Sequence, residues 1–264
     1  MSNAVFLQHA PHLSPGRFIP IFRDFGIPCE VRHVYKGDEI PTDLESIRIL
    51  VSLGGPMRVA DVGSDKHPYL ANEVALLKRL VDADRPVLGI ALGAQLLAHA
   101  AGAKVYPNVA GPEGAASPAP EFGWAPVTFP FPGGTEPMVY GMMDGAPMFH
   151  WHHDTFDLPK LPPPANLPPN APAPPPGNAL LSSSRLCKVQ AFRFKTQLFG
   201  FQYHFEMTRP DIEAMLSADG AAAQQALGGE GVAQIRADTE KHYPRYARLG
   251  DKLVQNVVQF LKQY

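Results

Sequence analysis

Three short segments carry residue types that do chemistry when they meet. Gly89-Ile90-Ala91-Leu92-Gly93 has the frame of a sharp strand-to-helix turn, with small residues on both sides so that the central side chain projects toward a substrate. That central residue is Ala91, a methyl group with no lone pair. His204 and Glu206 stand two apart, so in an extended strand they share a face, where the carboxylate fixes the imidazole tautomer and favours its protonated form. Gly54-Gly55 follows a buried-looking apolar run and leaves backbone N–H groups to face a ligand. Together these are parts for nucleophilic acyl transfer: a base, its orienting acid and an oxyanion site, arranged around a turn that lacks its nucleophile. Singly each is weak, because glycines at a strand–helix crossing also serve packing and His-x-Glu is common.

His150, His152, His153 and Asp154 form a ligand-rich cluster, and His152 with Asp154 shares a strand face suited to zinc. No third or fourth ligand can be named, so the expectation is no metal. His9 and His12 follow the first strand and read as a surface loop ahead of a substrate contact. Cys29 and Cys187 have no CxxC partner and read as packing residues.

The elements that must position these residues follow from periodicity. Val5 to Gln8, Cys29 to Tyr35, Ile47 to Leu53 and Val87 to Ile90 read as strands, the third as one buried on both faces. Phe18 to Phe25, Tyr69 to Val81 and Leu92 to Ala101 read as helices between or after them. Such alternation predicts parallel pairing in a doubly wound α/β sheet. In the second half, Trp124 to Phe129, Met148 to Trp151, Leu180 to Ser183, Lys188 to Phe194 and Leu198 to His204 read as strands of antiparallel ribbons. Pro159 to Gly177 is proline-dense and reads as a surface loop, with the strands on either side in one sheet system. The tail from 207 to 264 reads as a helical extension, and one domain over 1–264 is expected.

Composition bounds the function classes. With 23 Lys plus Arg against 25 Asp plus Glu, the net charge is -2, so no field steers the chain to nucleic acid. The first residues lack the basic region and apolar core of a signal peptide, and no apolar run reaches about 20 residues, so the cytoplasm is expected and a membrane is not. Leu249, Leu253, Val257, Phe260 and Leu261 form an apolar stripe compatible with a homodimer or with covering the core.

Ordered motifs then point to a family. Ser52-Leu53-Gly54-Gly55-Pro56-Met57, Pro86 to Leu97 around Ala91, Glu121-Phe122-Gly123-Trp124, Trp151-His152-His153-Asp154-Thr155-Phe156 and Phe201-Gln202-Tyr203-His204-Phe205-Glu206 make the chain resemble the class I glutamine amidotransferases. It is most similar to free-standing members like the glutaminase domain of GMP synthase. The resemblance implies a three-layer sandwich with a mostly parallel, flavodoxin-like central sheet. It implies hydrolysis of glutamine or another γ-glutamyl amide through a cysteine thioester, without a cofactor, with ammonia passing to a synthase partner. By resemblance Ala91 stands at the nucleophile position, His204 is the base and Glu206 its orienting acid. In the same way, the amides of Gly55 and Leu92 form the oxyanion hole, and Gly54 and Gln95 hold the substrate. Two positions depart from the family: Phe205 stands where proline is usual, and Ala91 removes the thioester step. Alanine there reflects either natural loss, leaving a non-catalytic binding or regulatory protein, or a deliberate replacement of cysteine.

Overall fold

A computed structural model describes residues 2–111, 115–161 and 177–261 of the chain. The first half alternates strand and helix: β1 (Asn3–Gln8), α1 (Phe18–Asp24), β2 (Cys29–His33), β3 (Ile47–Ser52), α2 (Tyr69–Asp82), β4 (Val87–Ile90) and α3 (Leu92–Ala100). Short strands follow: β5 (Val105–Pro107), β6 (Val109–Ala110), β7 (Ser117–Pro118), β8 (Glu121–Val127), β9 (Ala146–His152) and β10 (Asp154–Phe156). The chain ends with β11 (Asn178–Ser182), β12 (Ala191–Phe194), β13 (Leu198–Phe201), α4 (Arg209–Leu227) and α5 (Gly231–Leu261).

Seven strands form one sheet in the order β11-β12-β13-β4-β3-β1-β2. The five from β13 to β2 run parallel, and β12 pairs antiparallel with both β13 and β11. The parallel order β2-β1-β3-β4-β13 is that of flavodoxin-like sheets, in which ligands bind beyond the carboxyl ends of the strands. Side chains alternate cleanly: Ala4 and Phe6 of β1 enter one core, Val5 and Leu7 the other. Leu70, Leu77 and Leu80 of α2 with Leu96 and Leu97 of α3 cover the second face. Phe18 and Phe22 of α1, Ile212 and Met215 of α4, and Leu253 and Val257 of α5 cover the first. Burying one such side chain contributes roughly 1.5–3 kcal/mol, so both faces need their helices. The result is the expected three-layer α/β sandwich.

Several expectations change in detail. β8 begins already at Glu121, and the strand expected from Leu198 to His204 ends at Phe201. The expected loop from Pro159 to Gly177 lies mostly outside the described residues. Its flanking strands belong to different sheets, because β10 pairs with β5 while β11 closes one edge of the large sheet. The stripe on α5 turns inward: Leu253 and Val257 are buried and Leu249 and Phe260 pack on the same core. That stripe therefore gives no ground for a homodimer. Among the described residues no helix is long and apolar enough to cross a membrane.

Candidate active site

β4 ends at Ile90 and α3 begins at Leu92, so Ala91 alone makes the connection. Its φ of 49° and ψ of -110° lie where residues other than glycine rarely go. Holding an alanine there costs on the order of 1–3 kcal/mol, and the surroundings enforce it. Ala91 N–H donates to the Phe201 carbonyl at 2.8 Å, Gln95 N–H donates to the Ala91 carbonyl at 3.1 Å, and Gly93 N–H donates to the Leu53 carbonyl at 3.2 Å. The elbow is thus tied to the neighbouring strand ends on both sides.

His204 arrives by a route the spacing did not predict. Beyond β13 the chain bends, so the two-residue spacing to Glu206 does not act through strand alternation. Instead His204 bridges back to β9, its N–H donating to the Phe149 carbonyl at 2.8 Å. His204 Nδ1 lies 2.6 Å from Glu206 Oε1, and both side chains are buried. Phe205 N–H donates to Glu206 Oε2 at 2.9 Å, a bond proline lacks the hydrogen to make. The Phe205 ring packs between Phe18 and Phe201, with centroids at 5.6 and 5.1 Å. Phenylalanine here keeps the carboxylate in place and adds a second donor to it.

Gly54 separates the imidazole from the elbow. A methyl group there would sit 2.8 Å from His204 Cε1, 3.6 Å from His204 Nε2 and 3.6 Å from Ala91 Cβ, so any side chain would push the ring away. Ala91, Leu92, Gly55, Gln95 and His204 line one cleft of about 450 Å³. Leu92 opens α3, so its N–H has no intrahelical acceptor and carries the positive end of the helix dipole. Gln95 Nε2 donates to Gln202 Oε1 at 3.2 Å, and Gln202 Nε2 donates to the Asp154 carbonyl at 2.6 Å. Gln202 is thus the support of Gln95, a role its motif alone did not reveal. Arg58 also lines the cleft and grips the Asp154 carboxylate through Nε at 2.8 Å and through Nη2. Asp154 is therefore spent on Arg58 and does not share a ligand face with His152.

His9 is not a surface-loop residue, being only 2% exposed. Its Nε2 lies 2.7 Å from Glu73 Oε2 and its Nδ1 3.2 Å from the Gly54 carbonyl, while Ser52 Oγ donates to Glu73 Oε1 at 2.6 Å. Burial alone lowers the His9 pKa, but the Glu73 carboxylate beside it more than compensates and leaves it above the ordinary value. This buried relay holds the Gly54-Gly55 turn from behind. One sequence signal was available: Glu73 sits on the leucine face of α2, where an acidic residue interrupts the apolar stripe. His12 stays partly exposed and pairs with Asp219 at 2.9 Å. Neither cysteine lines the cleft, and burial pushes the Cys187 thiol up to about 11.

A family model described as glutamine amidotransferase class-I matches residues 19–219. The chain belongs to the class I glutamine amidotransferase family. Within that family it is similar to the glutamine amidotransferase-like protein YfeJ of Salmonella typhimurium, 27% identical over 250 residues that span 94% of this chain and 92% of the other. A Thermotoga maritima glutamine amidotransferase structure superposes with a TM-score of 0.77 at 22% identity, covering 98% of each chain. One from Methylobacillus flagellatus gives 0.78 at 23% identity, covering 98% of this amidotransferase-family chain and 95% of its own. These two structures share its fold.

Proposed function

We propose that the cleft binds the side chain of glutamine or a related γ-glutamyl amide, with its carboxamide between Ala91, His204 and the amides of Gly55 and Leu92. The observation that carries this reading is the strained elbow at Ala91 beside a buried His204–Glu206 pair. An ordinary helix start does not need a non-glycine residue at φ 49°. With a thiol at that position, His204 Nε2 would accept its proton and the sulfur would attack the carboxamide carbon. The oxyanion would rest on Gly55 and Leu92 N–H, the proton would return to the departing ammonia, and water would then cleave the thioester. Glu206 orients the imidazole, Gly54 spaces it, and Gln95 steadies the glutamyl chain. Arg58 and Asp219 along the same cleft offer charges of both signs to the zwitterionic end of an amino acid. Ammonia released this way would serve a synthase partner in the cytoplasm.

Ala91 favours a second reading of the chain as it stands: a binding or regulatory protein that holds the amide without turning it over, since a methyl group forms no thioester. The deciding experiment is Ala91→Cys assayed for ammonia release from glutamine and a panel of γ-glutamyl amides, beside calorimetry of the unsubstituted chain with the same compounds. Turnover by the variant supports the catalytic reading of the site. Binding without turnover in both proteins supports the second, and neither binding nor turnover by folded protein removes both.

A further inference from the structure

The β8–β9 hairpin brings together three metal-binding side chains that acyl transfer does not use. In its register Glu121 lies opposite His152 and Gly123 opposite His150, and residues two apart on β9 share a face. Glu121, His150 and His152 each offer one donor atom, all within 4.8 Å of one another, and all three residues are buried.

Hydrogen bonding decides which nitrogens point inward. His150 Nε2 lies 3.3 Å from the Ala125 carbonyl and His152 Nδ1 lies 3.0 Å from the Asp154 carbonyl. Carbonyl oxygens only accept, so each ring carries its proton there. The Gln202 amide also lies 3.4 Å from His152 Nδ1, but the Asp154 carbonyl is the nearer partner of both, at 3.0 Å from the ring nitrogen and 2.6 Å from the amide. His150 Nδ1 and His152 Nε2 are left with bare lone pairs, and both are buried without a hydrogen-bond partner. His152 Nε2 stands 3.2 Å from Glu121 Oε2, yet not in hydrogen-bond geometry. A buried acceptor without a partner is costly, and the two ring nitrogens lie beside an anionic carboxylate. A cation among the three would partner both nitrogens and the carboxylate at once.

The surroundings agree with that occupant. A tetrahedral zinc with bonds near 2.0 Å sets its ligand atoms about 3.3 Å apart, the spacing His152 Nε2 and Glu121 Oε2 already have at 3.2 Å, and the other pairs, within 4.8 Å, would close onto the ion. Ligating histidines usually place their other ring N–H on a carbonyl or carboxylate, as both rings do here. The Glu121 carboxylate is itself held by Ser184 Oγ at 2.7 Å and by Gln190 Nε2. We propose that Glu121, His150 and His152 bind one divalent cation of the zinc class, with water as fourth ligand, fastening the β8–β9 hairpin beside the cleft. Two imidazoles and one carboxylate suit such a borderline cation better than magnesium or calcium, which prefer oxygen. His152 also lines the cleft, which gives the ion a way in.

Full-length, tag-free protein dialysed against a chelator and titrated with Co²⁺ tests this by visible absorption. Saturation at one equivalent per chain with the intense bands of four-coordinate cobalt is expected, and one equivalent of Zn²⁺ should displace it. Glu121→Gln and His150→Gln should each weaken binding about 100-fold or more while circular dichroism stays unchanged. No binding by folded protein overturns the site. Equally, stoichiometric binding that survives both substitutions places the ion elsewhere. Should the variants not fold, X-ray absorption of the zinc-loaded unsubstituted protein decides: two imidazoles in the first shell support the site, and fewer overturn it.

Discussion

A methyl group at residue 91 is chemically silent but conformationally loud, because the backbone keeps a turn that alanine does not prefer. Two substitutions separate these aspects. Ala91→Gly should raise stability by about 1 kcal/mol in urea unfolding, the relief of strain exceeding the added chain entropy. On the proposed reading Ala91→Cys should give glutaminase turnover, and adding His204→Ala to it should lower kcat by about 10²- to 10⁴-fold in an ammonia-release assay. His9 offers a pH test. Its folded pKa lies above the ordinary 6.5, so the stabilisation from its pairing with Glu73 is complete below about pH 6.5 and fades as pH rises through the raised value. Thermal melts should therefore show the gap between the unsubstituted protein and His9→Gln narrowing as the pH rises above about 6.5. A constant gap would mean the imidazole is neutral throughout.

Strand and helix ends do the positioning. The start of α3 rests directly on the end of β3, for a methyl on Gly93 would lie 2.0 Å from the Ser52 carbonyl oxygen. That is backbone rather than a side-chain tip, so it cannot swing aside. Gly93→Ala should destabilise by about 1–3 kcal/mol and disturb Leu92 N–H, lowering ligand affinity in calorimetry as well as the unfolding midpoint. At this scale the periodicities of β1, β3, α2, β4 and α3 were legible, since these elements are buried on one or both faces and the pattern reports burial. Their edges were legible as well, β4 to the residue and the others within a residue or two, whereas the start of β8 and the end of β13 were not. Glu121 was legible as the first residue of a motif, but its place at the start of β8 opposite His152 was not, because an apolar pattern does not extend a strand to an acidic residue, and so it was not joined to His150 and His152.

At the scale of the whole molecule, α5 is a layer rather than an appendage. Ile235, Tyr246, Leu253, Val254, Val257 and Val258 are all buried in the core on the first face of the sheet. Arg17 ties it down, donating to the Ala247 carbonyl at 2.9 Å, to Asp251 at 2.7 Å and to the Met207 carbonyl at 2.7 Å. A chain ended at residue 230 should lose its cooperative thermal transition and bind a hydrophobic dye, because α1 and the β8–β9 hairpin would face water. Retention of a sharp transition would show that the sheet is stable without this layer.

What the sequence determined by itself was local and repetitive: alternating apolar periods, glycines around a turn, an ordered set of motifs and hence the family. These depend on neighbours in the chain, whose geometry the backbone fixes. Tertiary structure alone decided which distant groups meet. It brought His9 to Glu73 across 64 positions and set His204 through a bridge to Phe149 rather than through a strand. It also turned the α5 stripe into core and gave Asp154 to Arg58. Such pairings follow from the order and register of strands in a sheet, which no short stretch of residues encodes.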